Sequence, residues 1–214
     1  MKPVSSTVFG LACLLLALTS GARAASSVDL SVAGKITPSA CTPTLGEGAV
    51  IDYGKIPAKD LSADSSTWLP EITLQLRVSC AAATLFALRG NDNHAGTAHL
   101  DEEYSYGMGL INGNEKVGRY MLTLRNPMSD TAPVTTMTST DNGQFWWSFP
   151  HGVFLVWHQL AAFGDTSSGV AAPIALVNVT ADLHVAASIA PANGLTLDEE
   201  VRLDGSATLD VFYL

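Results

Sequence analysis

The sequence predicts an all-β sandwich, and three observations carry the prediction. Period-2 alternation runs through both ends of the exported chain, a clean alternating strand leads into the last cysteine, and Asn/Gly turn signals separate a series of shorter β-like runs. A sustained helical period is absent beyond the leader.

The leader comes first. Lys2 precedes an apolar run over residues 11–18 that closes on Ala22, Arg23 and Ala24. This is the layout of a secretory signal peptide, and the run is far shorter than the roughly 20 residues of a membrane-spanning helix. Residues 1–24 are expected to be removed, leaving a soluble chain that starts at Ala25. Cys13 reads as part of the discarded signal: Gly10 stands where a lipid-attachment site carries a large aliphatic residue, and the apolar run continues past the cysteine. Lys2 and Arg23 leave with the leader and no acid does, so the formal charge moves from −9 to about −11. Such an acidic surface argues against nucleic acid or anionic membrane as a partner.

The first alternating run follows at once. Val28, Leu30, Val32, Gly34 and Ile36 share one face of residues 28–36, and Asp29, Ser31, Ala33 and Lys35 share the other. Cys41 comes next, and Cys80 closes the cleanest alternation in the chain, where Ile72, Leu74, Leu76 and Val78 lie on the same face as the cysteine. In an oxidising compartment two retained cysteines are normally joined, so a Cys41–Cys80 disulfide is expected, stabilising by roughly 4 kcal/mol through closure of a loop of about 40 residues. A metal or redox pair is disfavoured by the wide spacing and the lack of a CxxC motif. Further β-like runs cover residues 50–53, 85–88, 117–124, 144–149, 153–157 and 174–189, with turn signals at 91–93, 112–114, 141–143 and 193–194. Short helical turns are compatible with residues 58–63 and 160–163. The last strand alternates from Val201 through Leu203, Gly205, Ala207, Leu209, Val211 and Tyr213.

The stretch around residues 28–44 resembles the N-terminus of minor fimbrial subunits of the chaperone–usher family: an alternating donor segment, the Gly34-Lys35 step, an apolar residue, then the first cysteine. The ending is similar too, an alternating strand with aromatic Tyr213 in the penultimate position and apolar Leu214 last. The first half through Cys80 and the last fifteen or so residues also resemble a domain-of-unknown-function group of fimbrial-like bacterial proteins. The resemblance implies an immunoglobulin-like pilin sandwich lacking its final strand, whose unpaired edge must be filled. A periplasmic chaperone would lend a strand first, and the N-terminal segment of another subunit would replace it, by β-strand addition.

On that resemblance the chain divides into a signal peptide (1–24), a donor-strand-like segment (25–37) and a pilin-like sandwich domain (38–214). Val28, Leu30, Val32, Gly34 and Ile36 form the donor face. Leu203, Gly205, Ala207, Leu209, Val211 and Tyr213 form the groove and chaperone strand. The expected partners are a periplasmic pilus chaperone, an outer-membrane usher and other pilus subunits, with the protein exported through the periplasm to the fimbrium or cell surface.

The rest of the chain offers little chemistry. GxSxG, HExxH, Walker-type and GxGxxG patterns are absent, so no enzymatic role, cofactor or metal is expected. Asn91, Asn93, Gly96 and Glu102 fall on calcium-loop positions, but Asn91 and Ala95 stand where acids belong. His94 and His99 with Asp101, Glu102 and Glu103 read as a polar loop rather than a metal cluster. His184 falls on the solvent side of its alternation, and Asn178-Val179-Thr180 as a chance glycosylation pattern. Residues 90–165 are long for a rod pilin and carry Trp146, Trp147 and Trp157. One of the adjacent Trp146 and Trp147 rings should face the core, with the other packed beneath neighbouring loops. Two alternatives to a structural or accessory subunit follow: an adhesin-like module using these Trp/His-rich loops for a host or matrix ligand, and, further off, a secreted hydrolase on a sandwich. The expected start of the pilin-like strand directly after the signal favours subunit over tip adhesin, since tip adhesins of the family carry an added N-terminal domain.

Overall fold

The computed structural model describes residue 31, residues 40–130 and residues 132–214. In chain order these form β1 (Cys41–Leu45), β2 (Thr67–Trp68), β3 (Ile72–Thr84), β4 (Phe86–Asp92) and β5 (Tyr106–Gly107). There follow β6 (Leu110–Ile111), β7 (Glu115–Lys116), β8 (Gly118–Ser129), β9 (Thr135–Ser139) and β10 (Trp147–Ser148). The chain ends with β11 (Val153–Phe154), β12 (Leu160–Asp165), β13 (Ala172–Pro173), β14 (Leu176–Ile189) and β15 (Ala207–Tyr213). One sheet runs β1-β3-β14-β8-β11, with β2 added on β14 and β5 on β8. The other runs β10-β9-β12-β4-β15, with β13 added on β12. Every pairing among the described strands is antiparallel.

The expected all-β sandwich is the observed fold, and its cause is visible strand by strand. In β3 the alternate residues Leu74, Leu76, Val78 and Cys80 are buried while Thr73, Gln75, Arg77 and Ser79 are exposed. The register Leu183↔Leu74 and Leu183↔Leu124 carries the same face across β14 and β8. Those side chains meet Phe86, Leu88, Ala161 and Phe163 from the second sheet in one apolar cluster. Burying such a face is what holds two twisted sheets together. Gly90 on β4 marks the closest approach inside: a Cβ there would lie 2.1 Å from the Tyr106 hydroxyl, which donates to the Leu155 carbonyl at 2.9 Å. Only glycine leaves room for that buried phenol.

β1 lies directly opposite β3, Cys41 against Cys80, and the two cysteines form the expected disulfide. The staple thus joins neighbouring strands of one sheet.

Several boundaries differ from the sequence expectation. The last strand is shorter: residues 201–206 belong to no ladder, and β15 starts at Ala207. Alternation specifies which side chains face inward, whereas a strand also needs a partner's N–H and C=O groups beside it. Residues 50–53 show the same thing, alternating in burial but without a ladder. Residues 160–163 form the start of β12, a central strand buried from Leu160 to Gly164, rather than a helical turn. Residues 58–60 do make a short 3-10 turn. Of residues 144–149 only Trp147–Ser148 pairs.

Candidate functional site

The two sheets have a common open side. β1 ends the first sheet and β15 ends the second, and they approach each other where the Cys41 N–H donates to the Tyr213 hydroxyl at 2.9 Å. Among the described residues β15 has β4 as its sole ladder partner, Ala207↔Asp92 through Tyr213↔Phe86, so its outer edge is unpaired. Such an edge is a template for another strand.

Next to that edge lies a groove of about 940 Å³, reaching down to the core residues Leu74, Leu122 and Leu183. Two segments line it, residues 50–57 and residues 195–206, and neither belongs to a ladder; the second bends at Leu195, Asp198 and Glu199. Each alternates. Ile51, Tyr53 and Ile56 are half-buried while Asp52, Gly54 and Lys55 are exposed; Leu195, Leu197, Val201 and Leu203 are half-buried while Thr196, Asp198 and Arg202 are exposed. Lys55 and Glu200 join the two segments at 2.8 Å between well-exposed side chains, a link of little energetic weight. The mouth of the groove therefore carries strand-like side-chain order without strand pairing.

The predicted groove residues fall here in part. Leu203, Gly205, Ala207 and Leu209 line the groove. Val211 packs against the main core, and Tyr213 is exposed with its hydroxyl engaged by Cys41. The predicted donor residues Val28, Leu30, Val32, Gly34 and Ile36 lie outside the described residues. Ile51, Tyr53, Leu195 and Leu197 were not predicted as groove residues, although period 2 is present in both segments. Tyr120 was missed as well, because nothing in a single strand's pattern tells which inward side chain lies beneath an opening.

The polar loop over residues 94–105 is placed elsewhere. His99 shares a hydrogen bond with Ser66 at 2.8 Å, its N–H reaches the Gly118 carbonyl at 3.3 Å, and Glu102 pairs with the buried Arg119, which also donates to Ser105 at 2.9 Å. Asn91 donates to Asp210 and Asn93 to Ser206, so the calcium-loop positions do not converge on one point. Among the described residues no group of three or more His, Cys, Asp or Glu is placed to hold a metal. His184 contacts Glu71 and Thr73 on the outer sheet face, and Asn178 accepts from Ser79 while donating to Asp130.

This loop has a pH dependence with a definite sign. Burial, then the Arg119 charge, holds the His99 imidazole below its ordinary value against the opposing Gly118 hydrogen bond and Glu102 charge. The Arg119 hydrogen bond holds the Glu102 carboxyl below the usual carboxylate range. Both groups bind a proton less readily folded than unfolded. The His99 contribution is complete above its unfolded value of about 6.5 and is lost as the pH falls through the folded value; that of Glu102 is lost further down. As the pH falls below about 6.5, the melting temperature of the native chain is expected to drop more steeply than that of His99→Gln. Parallel curves would show that His99 is not the titrating group.

Trp146 and Trp147 divide as alternation requires. Trp146 is 8% exposed, donating its indole N–H to the Gly143 carbonyl at 3.0 Å, and Trp147 is 56% exposed. Trp147 is not tucked beneath loops as expected: it meets Phe145 edge-on, 4.9 Å between ring centres, on the surface. β10 is a two-residue strand at the edge of its sheet, with β9 as its ladder partner among the described residues.

A disulfide-stapled antiparallel sandwich with an apolar groove beside an unpaired C-terminal strand is the class of protein that this geometry defines. The chain belongs to a family described as protein of unknown function (DUF1120), whose family model matches residues 30–144. It is similar to protein GltF of Escherichia coli strain K12, 23% identical over 250 aligned positions covering 100% of this chain and 98% of the relative. It is also similar to the protein YhcF of the same strain, described as uncharacterized, 24% identical over 225 positions covering 90% of this chain and 93% of the relative. No helix among the described residues is long and apolar enough to cross a membrane.

Proposed function

We propose that this chain is an exported, non-enzymatic structural or accessory subunit of a chaperone–usher fimbria, and that its groove accepts an extended strand from another polypeptide. The carrying observation is the pair of unladdered segments, alternating in part, that flank the groove beside the free edge of β15. The unpaired outer edge of β15 calls for hydrogen-bond partners, and half-buried Ile51, Leu197, Val201 and Leu203 call for apolar cover. One inserted strand supplies both. The resemblance of residues 28–44 and of the C-terminus to fimbrial subunits supports the same reading. A chaperone would occupy the groove in the periplasm, and residues 28–36 of another subunit would replace it at the cell surface.

A synthetic peptide spanning residues 27–37, added to the purified mature protein, is expected to bind and to raise the melting temperature by several degrees at saturating concentration. A shuffled peptide of the same composition is expected to leave it unchanged. Equal, null responses to both peptides would count against a strand-accepting groove.

A second reading, a binding module for a host or matrix ligand, draws on residues 145–157. There Phe145, Trp147, Phe149, Phe154 and Trp157 are exposed while Val153, Leu155 and Val156 are buried. This stretch passes from β10 on one sheet to β11 on the other. Leu155 reaches the groove floor from this stretch, but none of the exposed rings lines the groove, so a filled groove would leave them accessible.

A further inference from the structure

The loop over residues 101–105 and the segment over residues 154–158 meet through two side-chain contacts. The Tyr104 ring stacks on Phe154, 4.7 Å between ring centres and 19° between planes. Glu103 lies 3.8 Å from the His158 ring, which in turn packs edge-on against Trp157, 4.7 Å between centres. Both partners are pinned from behind. The Leu155 N–H donates to the Leu122 carbonyl at 2.9 Å and the Gln159 N–H to the Val156 carbonyl at 2.9 Å, with Val153, Leu155 and Val156 buried. In the loop, the Ser105 N–H donates to the Glu102 carbonyl at 2.8 Å, and the Glu102 carboxylate pairs with buried Arg119. The rings are thus held on fixed backbone, with Trp157 62% and Phe154 42% exposed. Alternation with buried Val153 and Leu155 explains why Phe154 points outward, and gives no reason for it to be aromatic. A ring held in water is apolar surface that a binding partner would cover.

We infer that Trp157, with the Tyr104–Phe154 stack and Glu103 beside it, docks an arginine side chain carried by a partner polypeptide. The inference rests on the second reading above, a binding module, and adds the partner's chemistry to it; the strand-accepting groove does not enter it.

Charge decides the sign of the partner. Residues 90–115 and 126–201 contain no Lys or Arg. Arg119 is buried and engaged by Glu102, and Arg125 faces Glu71 at 3.9 Å. Asp101 and Glu103 are exposed, and among the described residues neither has a Lys or Arg within ion-pair distance. A patch that is aromatic, acidic at its rim and free of Lys and Arg attracts a positive charge and repels a carboxylate or phosphate.

Among cations, guanidinium fits this patch best. Its flat, weakly hydrated plane stacks on an indole while its edge donates to a carboxylate, and Trp157 and Glu103 flank the same imidazole. A lysine ammonium holds its water more tightly and has no plane to stack. A quaternary ammonium has no N–H for Glu103 and is best held by rings closed around it, whereas Trp157 stands open to solvent.

The test uses the mature protein and a short labelled peptide of alternating arginine and glycine, read by fluorescence anisotropy at low ionic strength. The arginine peptide is expected to bind, and the same peptide with citrulline, an uncharged isostere, to bind about tenfold more weakly. Trp157→Ala is expected to weaken the arginine peptide about fivefold. Glu103→Gln is expected to weaken it about threefold and to make the affinity less sensitive to added salt. Asp60→Asn, the same change of charge at an exposed acid elsewhere, is expected to leave the affinity unchanged. All three altered side chains are exposed, so the melting temperatures are expected to match that of the native protein. Equal binding of the arginine and citrulline peptides, an undiminished affinity in Trp157→Ala, or equal losses in Glu103→Gln and Asp60→Asn would each overturn the inference. Capture of native protein and of Trp157→Ala on an immobilised extracellular-matrix extract separates that failure from failure of the wider reading. Trp157-dependent capture without arginine-peptide binding overturns the guanidinium assignment and leaves the binding module standing; absence of both removes the two together.

Discussion

Replacing Cys41 and Cys80 together by serine is expected to remove about 4 kcal/mol of stability, a large share of the 5–15 kcal/mol typical of a domain. The sequence separation of 39 sets the loop whose freedom the bond removes from the unfolded chain. Location adds to the effect. β1 is an edge strand held by one ladder, to β3, and its burial is partial, with Thr42 and Thr44 exposed. Leu45 at its far end lines the groove, so a frayed β1 disturbs that wall as well as the sheet. The measurement is urea unfolding of the oxidised native protein against the double serine variant, with mass spectrometry to establish the bond in the former. A midpoint that does not move would show that the ladder to β3 holds β1 unaided. Cys41→Ser alone is expected to leave little folded protein in the periplasm, since it also frees a thiol.

Ending the chain after Leu209 is expected to be the second severe change. It deletes most of β15 and turns β4, now an interior strand of its sheet, into an edge. Val211 is lost from the main core, and Phe212 from the small cluster of Ala87, Met137, Trp146, Leu160 and Ala162 on the sheet's outer face. Each side chain is worth up to about 1.5–3 kcal/mol when fully buried, less here because both are half-buried. The Arg89 guanidinium 4.3 Å over the Phe212 ring and the Leu214 N–H to the Leu85 carbonyl at 3.2 Å go with them. The truncated protein is expected to be recovered as aggregate, and co-purification with a periplasmic chaperone to be abolished, because the free edge proposed for docking is gone. A soluble, monodisperse truncated monomer with an unchanged melt would rule out β15 as a wall of the groove. Tyr213→Ser is milder: it removes the ring but leaves a hydroxyl too short to reach the Cys41 N–H, so a small stability loss accompanies any loss of chaperone binding.

The outcome of each strand expectation follows one physical distinction. β3 and β14 were legible because one face of each meets a core while the other is exposed or half-buried, and period 2 records that asymmetry. β12 was missed for the opposite reason. Both its faces are covered, the inner one by the main core and the outer one by the Trp146 cluster, so Leu160 to Gly164 read as a continuous small and apolar run that also suits a helical turn. β1 was missed because Pro43 and two threonines give it little apolar contrast, and its ladder to β3 decides it. The groove-lining segments fall between these cases: their alternation is readable, and the absence of a partner is not.

Sequence by itself determined the all-β class, the inward faces of β3 and β14 and the pairing of Cys41 with Cys80, because these depend on side-chain periodicity and on two retained thiols. Tertiary structure alone decided that residues 50–57 and 195–206 lie beside one groove, that β15 ends a sheet with an unpaired edge, and that Tyr120 carries a buried hydroxyl with no partner among the described residues. The division has a single cause. Periodicity is local and is written along the chain, whereas a groove belongs to no segment and exists only where the ends of two sheets are brought together from distant parts of the chain.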